Sequence, residues 1–245
     1  MSNFTLPTEI VELPSKGLLY PEENILSSGK IEMKYMTAKE EDILTNSSYI
    51  ADGTVLDRLM KSLIISPINY NDLIVGDKNA IMIAARILGY GKDYPFNFGG
   101  SEQTVDLTTL ENKPLREDII IKGQNEFTFE LPTSGNTITF KILTHGDEMQ
   151  ILQELDSLKK INKEGSAELT TRLRYMITSI EGNRDKKNIK EFVDNYLLAR
   201  DSRALREYIL KIQPDVDLSF FPRGSKNSIN IPIGVDFFWP DFNKR

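Results

Sequence analysis

The sequence contains no cysteine, a single histidine, His145, and a single tryptophan, Trp239. The absence of cysteine excludes disulfides, thiolate nucleophiles and cysteine-based zinc sites, and it leaves the chain nothing to gain from an oxidising compartment. A single imidazole also excludes a metal site built from several histidines. We therefore predict no metal, no cofactor and a protein suited to a reducing cytosol.

Long apolar runs are also missing. No stretch approaches the roughly 18 to 20 apolar residues that span a bilayer. Residues Met1–Val11 lack the basic flank and the apolar stretch of a secretory signal. The sequence therefore predicts a cytoplasmic protein with no membrane partner.

An excess of positive charge is missing as well, because 36 acidic residues outnumber 30 Lys and Arg residues and give a net charge of −6. Residues 1–57 hold ten acidic and four basic residues, which accounts for the whole imbalance. Nucleic-acid binders concentrate Lys and Arg on a surface that displaces counterions. The densest basic patch, Arg184–Lys187, is interrupted by Asp185 and is interpreted as a solvated loop. We therefore predict no nucleic-acid partner.

The N-terminal part of the chain divides into two predicted segments. Residues 1–36 are rich in turn formers and predict an extended N-terminal arm that ends in a short strand. Residues 37–93 predict a small helical unit, whose first helix begins at Thr37 with Glu40 three residues later as a capping box. The third helix of this unit is predicted over 77–88 and is expected to be central to a small helical core.

The remaining chain divides into three further segments. Residues 94–143 alternate apolar and polar side chains and predict a β-hairpin region, with its clearest turn at Ser134–Asn136. Residues 144–213 return to helical spacing and predict a four-helix unit, with one apolar stripe running through Ile180. Residues 214–245 predict a β and aromatic C-terminal tail. The predicted fold class is α+β: a helical N-terminal unit, a central antiparallel β-hairpin region and a helical C-terminal unit with a short β tail.

Residue types that carry catalysis are few and scattered. His145 precedes a predicted helix, which favours a loop or capping role. The adjacent carboxylates of Glu40–Asp42 point in different directions on a helix, which disfavours paired acid and base roles. Their position in the first turn favours an interaction with the positive end of the helix dipole instead. Asp215 and Asp217 share one face of a predicted strand but have no evident third metal ligand. We therefore predict a protein that is not an enzyme.

Apolar residues near both ends of the chain predict protein binding instead. Three aromatic residues lie close to the C-terminus, where so much apolar area either docks on the chain's own core or binds a partner, and the sequence leaves both alternatives open. The predicted arm is also too apolar to remain an unbound, solvent-exposed tail. Aromatic anchors dominate interface energies, which makes Trp239 the expected anchor of a partner site. The candidate protein-binding residues are Leu13, Leu18, Leu19, Tyr20, Phe237, Phe238 and Trp239.

Four stretches resemble the baseplate hub assembly proteins of T4-type contractile-tailed bacteriophages. They are Glu12–Pro21, Met33–Leu44, Gly76–Arg86 and Ile231–Pro240. The resemblance covers both ends and most of the chain apart from a divergent middle. Some relatives carry a cysteine-based knuckle before the final aromatic segment, where this chain has Phe221–Gly224 and no thiol.

The resemblance implies a protein that binds other phage baseplate hub and tail subunits in the host cytoplasm. The sequence leaves open whether copies of the chain also form a homo-oligomer. The family contains both a protein that promotes hub assembly and a structural hub subunit retained in the virion baseplate, and the four stretches do not separate them. We prefer the assembly role. Two readings from other classes stay open: a modulator that binds a host protein through the acidic N-terminal segment, and a cryptic hydrolase.

Overall fold

The structure, a computed structural model, describes residues 5–161, 167–222 and 227–238. In these residues the chain combines α-helices with small antiparallel sheets, so the predicted α+β class is confirmed. The helices are α1 (Ala38–Leu44), α2 (Ser47–Ala51), α3 (Val55–Leu63), α4 (Val75–Tyr90), α5 (His145–Ile161), α6 (Glu168–Met176), α7 (Lys186–Asn195) and α8 (Ala199–Ile212). The strands are β1 (Thr8–Glu12), β2 (Lys30–Lys34), β3 (Asp93–Phe98), β4 (Ser101–Asp106), β5 (Phe127–Glu130), β6 (Thr137–Phe140), β7 (Ile177–Ile180), β8 (Ser219–Phe220) and β9 (Ile229–Asn230).

The N-terminal segment belongs to the core. Strand β1 pairs antiparallel with β2, and Leu13, which follows β1, is buried and donates a 2.8 Å hydrogen bond from its amide to the Gly29 carbonyl. Gly17 turns the chain at a φ of 77°, and a Cβ at this position would lie 2.3 Å from the Ser27 carbonyl oxygen. The prediction of an extended arm is therefore wrong for residues 13–36, which pack into the core, whereas the short strand predicted at its end is present as β2. The turn-forming residues fold the segment back on the body instead of extending it.

Helix α1 begins where the capping box predicts. One carboxylate oxygen of Glu40 accepts hydrogen bonds from the amide of Thr37, at 3.0 Å, and from its hydroxyl, at 2.6 Å. The other oxygen accepts from Lys34 and Ser62, each at 2.8 Å. Burial raises the pKa of Glu40, but these four hydrogen bonds outweigh burial and hold it at about 2. Glu40 thereby ties β2, α1 and α3 together.

Helix α4 lies at the centre of the N-terminal half, as predicted. Ile81 and Ala85 are fully buried on it, and a Cβ at Gly76 would lie 1.8 Å from the carbonyl oxygen of Pro214. The helix therefore packs directly against the backbone that leads into the C-terminal tail. It ends at Gly91, which adopts a φ of 82°, while Gly89 lies within the helix.

The central region contains two hairpins, β3 with β4 and β5 with β6, and the second of them confirms the turn predicted at Ser134–Asn136. Strand β7 adds to β6 and makes a three-stranded sheet in the order β5-β6-β7. The helical stripe predicted through Ile180 is wrong at this point, because residues from Ile177 onward leave α6 and pair with β6. The hydroxyl of Thr139 lies 2.7 Å from that of Thr178 and 2.6 Å from that of Ser179, so polar contacts on β6 hold the new strand.

The C-terminal half packs onto this sheet. The carboxylate of Asp201, in the first turn of α8, is fully buried and accepts hydrogen bonds from the amides of Thr133, at 2.7 Å, and Ser134, at 3.0 Å. The predicted tail hairpin is present as β8 and β9, with only two residues in each strand. One hydrophobic core contains residues from all five predicted segments, so these segments fold around a common interior.

Candidate binding cleft

The structure buries most of the residues predicted to bind a partner. Leu13, Leu19, Tyr20, Phe237 and Phe238 are each at most 4% exposed and belong to the core. Leu18 is half-buried, and Trp239 lies outside the described residues. The prediction of a protein-binding surface is therefore wrong for the five buried residues. These residues are buried because α4 provides buried polar partners for the segments near both ends of the chain.

Asp77, near the start of α4, holds the N-terminal segment. Its buried carboxylate accepts hydrogen bonds from the Ser15 amide at 2.9 Å, the Ser15 hydroxyl at 2.6 Å and the Tyr20 hydroxyl at 2.6 Å. The Tyr20 oxygen in turn accepts from the amide of Ile74 at 3.0 Å. Burial raises the pKa of Asp77 to about 6, although the hydrogen bonds from Ser15 and Tyr20 oppose this rise. Tyr20 thus bridges buried groups and is not displayed to a partner.

Arg86, near the end of α4, holds the C-terminal segment. Its guanidinium is 1% exposed and donates to three carbonyl oxygens: Phe237 at 3.0 Å, Gly91 at 3.1 Å and Asp93 at 3.4 Å. The ring of Phe237 packs edge-on against Tyr94, with centroids 4.8 Å apart. The sequence leaves open whether the aromatic residues near the C-terminus dock on the chain's own core or bind a partner, and Phe237 and Phe238 dock on the core.

His145 takes part in a compact charged cluster. Its ring is buried, with Nδ1 3.1 Å from Lys78 Nζ and Nε2 3.4 Å from Asp57 Oδ2, and it packs edge-on against Tyr70 at 4.6 Å. Burial lowers the pKa of His145, and the nearby charge of Lys78 lowers it further. His145 begins α5 as the sequence predicts, but its ring joins α5 to α3 and α4 and does not cap the helix.

Asp215 and Asp217 serve separate structural contacts. Asp215 accepts hydrogen bonds from Asn79 at 2.9 Å and Lys113 at 3.3 Å, while Asp217 accepts from the amide of Ser219 at 2.9 Å. Across 5–161, 167–222 and 227–238, no three His, Asp or Glu side chains lie close enough together to hold a metal ion.

An open cleft of about 610 Å³ lies between α5, the α6–β7 segment and the start of α7. Its lining has five cations and two carboxylates, so it carries an excess of three positive charges in a chain whose net charge is −6. The cations are Lys141, Arg174, Arg184, Lys186 and Lys190, and the carboxylates are Asp147 and Glu154. The cleft therefore favours an anionic ligand.

Three of the five cations are already paired. Lys141 lies 2.7 Å from Asp147, and Arg174 lies 2.9 Å from Glu154, so both carboxylates of the lining are engaged. Asp147 also accepts a 3.0 Å hydrogen bond from the amide that precedes α5. Arg184 pairs with Glu126 at 2.7 Å, and hydrogen bonds led by that of Arg184 hold the pKa of Glu126 at about 2.

The other two cations keep their donors for a ligand. Lys186 and Lys190 are four residues apart on α7, so they project from the same face, and both are exposed. Neither makes an ion pair within the described part of the chain. The Nε of Arg174 is buried without a hydrogen bond and lies 4.0 Å from Asp194. Lys186 and Lys190 therefore give the cleft exposed hydrogen-bond donors.

The cleft is the surface that sequence reasoning missed. The signal was the basic patch Arg184–Lys187, which was interpreted as a solvated loop. Arg184 and Lys186 are exposed, but they line a cleft to which Lys141 and Arg174, from earlier in the chain, also contribute. The pairing of β7 with β6 and the packing of α5, α6 and α7 bring these segments together, whereas the sequence predicts helix at β7.

No family model, curated protein or solved structure matches the chain. Within the residues that the structure places, no helix has the length and apolar character needed to cross a membrane.

Proposed function

We propose that this chain is a non-enzymatic baseplate hub assembly protein of a T4-type contractile-tailed bacteriophage, which binds other hub or tail subunits during tail morphogenesis. The observation that carries the proposal is that the four stretches that resemble this family, although far apart in sequence, meet around α4.

Two contacts join these stretches directly. Ser15, in the first stretch, binds Asp77, in the third, and Arg86, also in the third, binds Phe237, in the fourth. The second stretch approaches the end of the same helix through Met36, whose Cε would lie 3.0 Å from a Cβ at position 89. The resemblance therefore follows one packed framework. A resemblance whose stretches pack together in one core supports common ancestry better than isolated motifs do.

The cleft lies in the divergent middle of the chain. Its lining residues fall between 141 and 190, outside all four stretches. Proteins that share a framework differ in function through the sites carried on it. We propose that an acidic segment of a neighbouring hub or tail subunit binds this cleft, with its carboxylates on Lys186 and Lys190.

Binding fits the cleft better than hydrolysis does. A hydrolase of the two-carboxylate type needs one carboxyl group to donate a proton and a second to attack or to activate water. Asp147 accepts a 2.7 Å hydrogen bond from Lys141 and Glu154 accepts a 2.9 Å hydrogen bond from Arg174, so both carboxylates of the lining are engaged by cations of this chain.

The test is purification of the tagged chain from infected cells during tail assembly, in the host cytoplasm. We expect hub or tail subunits to co-purify with it, and recovery of no tail protein would contradict the proposal. Proteomics of purified particles separates the two roles within the family. An assembly factor is absent from the particle, whereas a structural hub subunit is retained in the virion baseplate.

A further inference from the structure

Strand β1 has a free edge. In the described residues it pairs with β2 on one side only. At one end of this pairing the Leu13 amide donates to the Gly29 carbonyl at 2.8 Å, and at the other the Tyr35 amide donates to the Pro7 carbonyl at 3.2 Å. Positions 7 and 13 therefore face β2.

The backbone groups of alternate residues face away from β2. Hydrogen-bonded pairs alternate along an antiparallel ladder, so positions 9 and 11 also face β2, while Leu6, Thr8 and Ile10 turn their N–H and C=O groups outward. Pro7 lacks an N–H, but it faces β2 and so does not interrupt the outer edge. The outer edge thus offers the backbone groups of three alternate residues for further strand pairing.

Two of the three residues that face outward along this edge, Leu6 and Ile10, have exposed apolar side chains. Leu6 is 52% exposed and Ile10 is 59% exposed, and they project to the same face because they lie four residues apart in an extended segment. Proteins ordinarily protect a free edge with charged side chains, proline or a covering element. Every residue from Thr5 to Ile10 is exposed, so no part of the described chain covers this edge.

We propose that two copies of the chain pair antiparallel through β1, about a two-fold axis at Thr8. In this register Thr8 lies opposite Thr8 of the second copy, and Leu6 lies opposite Ile10 of the second copy. Threonine pairs and apolar pairs across strands are favourable. The pairing extends each two-stranded sheet into one of four strands in the order β2-β1-β1-β2.

Other registers of the same strand are less favourable. A two-fold axis at Glu12 sets two carboxylates directly opposite each other, which is destabilising. An axis at Ile10 sets Thr8 opposite Glu12 and separates Leu6 from its apolar partner. The pattern of side chains is therefore self-complementary about Thr8. Because the area buried by one strand pair is small, the dimer is weak and its population rises with protein concentration.

Sedimentation velocity over a concentration series tests the pairing. We expect wild-type protein to shift from monomer to dimer, and Ile10→Lys to raise the dimer dissociation constant at least tenfold. Leu210→Lys makes the same change at a residue that is 61% exposed on α8, and it leaves dimerisation unchanged. Ile10→Pro removes an outward N–H and weakens the dimer as well. A wild-type protein that stays monomeric, or equal loss in Leu210→Lys, overturns the proposal.

Cysteine cross-linking tests the register. Since the chain has no cysteine, Thr8→Cys can form a disulfide only with a second copy. Residues directly opposite in a hydrogen-bonded pair lie about 5.5 Å apart at Cα, within the range of a disulfide. We expect Thr8→Cys to cross-link on mild oxidation and Glu12→Cys to remain monomeric. No cross-link at Thr8, or an edge that binds only a tail subunit and never a second copy, contradicts self-pairing. Charge reversal in the cleft leaves the dimer intact, so this pairing and the proposed function fail separately.

Discussion

The guanidinium of Arg86 donates a 3.0 Å hydrogen bond to the carbonyl oxygen of Phe237, a residue 151 positions away in sequence. On the same helix, Asp77 binds Ser15 and Tyr20. One helix therefore fastens the two ends of the chain through buried polar groups. This arrangement explains why apolar residues near both termini belong to the core.

Arg86→Met is expected to destabilise the fold by roughly 3 kcal/mol, because it leaves the buried carbonyl oxygen of Phe237 without a donor and removes two partly buried hydrogen bonds to Gly91 and Asp93. Urea unfolding measures this change. Arg86→Lys is the matched variant, since it keeps the charge but its single ammonium cannot span all three carbonyls, and it should be intermediate. Equal stability of Arg86→Met and wild-type protein would show that the C-terminal segment is held by its aromatic rings alone.

Asp77 makes stability depend on pH in a specific direction. Its pKa is about 6 in the folded protein against an ordinary value of 3.8, so the folded chain binds more protons between these values. The contribution of Asp77 is fully present below pH 3.8 and is lost as pH rises through 6, by up to about 3 kcal/mol.

Asp77→Asn removes this titration. Unfolding free energies of wild-type protein and the variant, measured from pH 4 to pH 7, should therefore diverge: relative to the variant, wild-type protein loses stability as pH rises. A constant difference across this range would contradict the assigned role of Asp77.

Two glycines of α4 provide a matched pair of substitutions. Gly76→Ala places a Cβ 1.8 Å from the backbone oxygen of Pro214, which cannot move aside, so we expect a loss of at least 2 kcal/mol. Gly89→Ala meets only the end of the Met36 side chain at 3.0 Å, and the better helix propensity of alanine offsets this contact. Thermal unfolding separates the two variants. Similar melting temperatures would argue against close packing of α4 on residue 214.

Local sequence patterns predicted local structure well. The capping box at Thr37, the buried helix around Ile81 and the hairpin across Ser134–Asn136 all follow from short-range chemistry, and the structure contains each of them. Strand β7 was missed because Ile177 and Ile180 continue a helical stripe from α6. Its pairing with β6 depends on residues about 40 positions away, which no local period reveals.

The candidate site depends on the same long-range pairing. Aromatic residues near the C-terminus leave internal packing and partner binding both open in the sequence. Phe237 packs internally with the help of the buried Arg86 guanidinium and the Tyr94 ring, contacts that no local pattern reveals. The cleft was invisible because Lys141, Arg174 and Lys186 are dispersed along the chain. Their shared position follows only from the packing of α5, β7 and α7.

Binding of hub or tail subunits to a cleft variant tests whether the cleft holds the proposed partner. Lys186→Glu with Lys190→Glu changes the net charge by −4, and Lys39→Glu with Lys211→Glu makes the same change at exposed residues outside the cleft. We predict that the cleft variant binds at least tenfold more weakly with an unchanged melting temperature, that the control binds like wild-type protein, and that salt weakens wild-type binding. Equal recovery of hub or tail subunits by the cleft variant and wild-type protein would contradict the account.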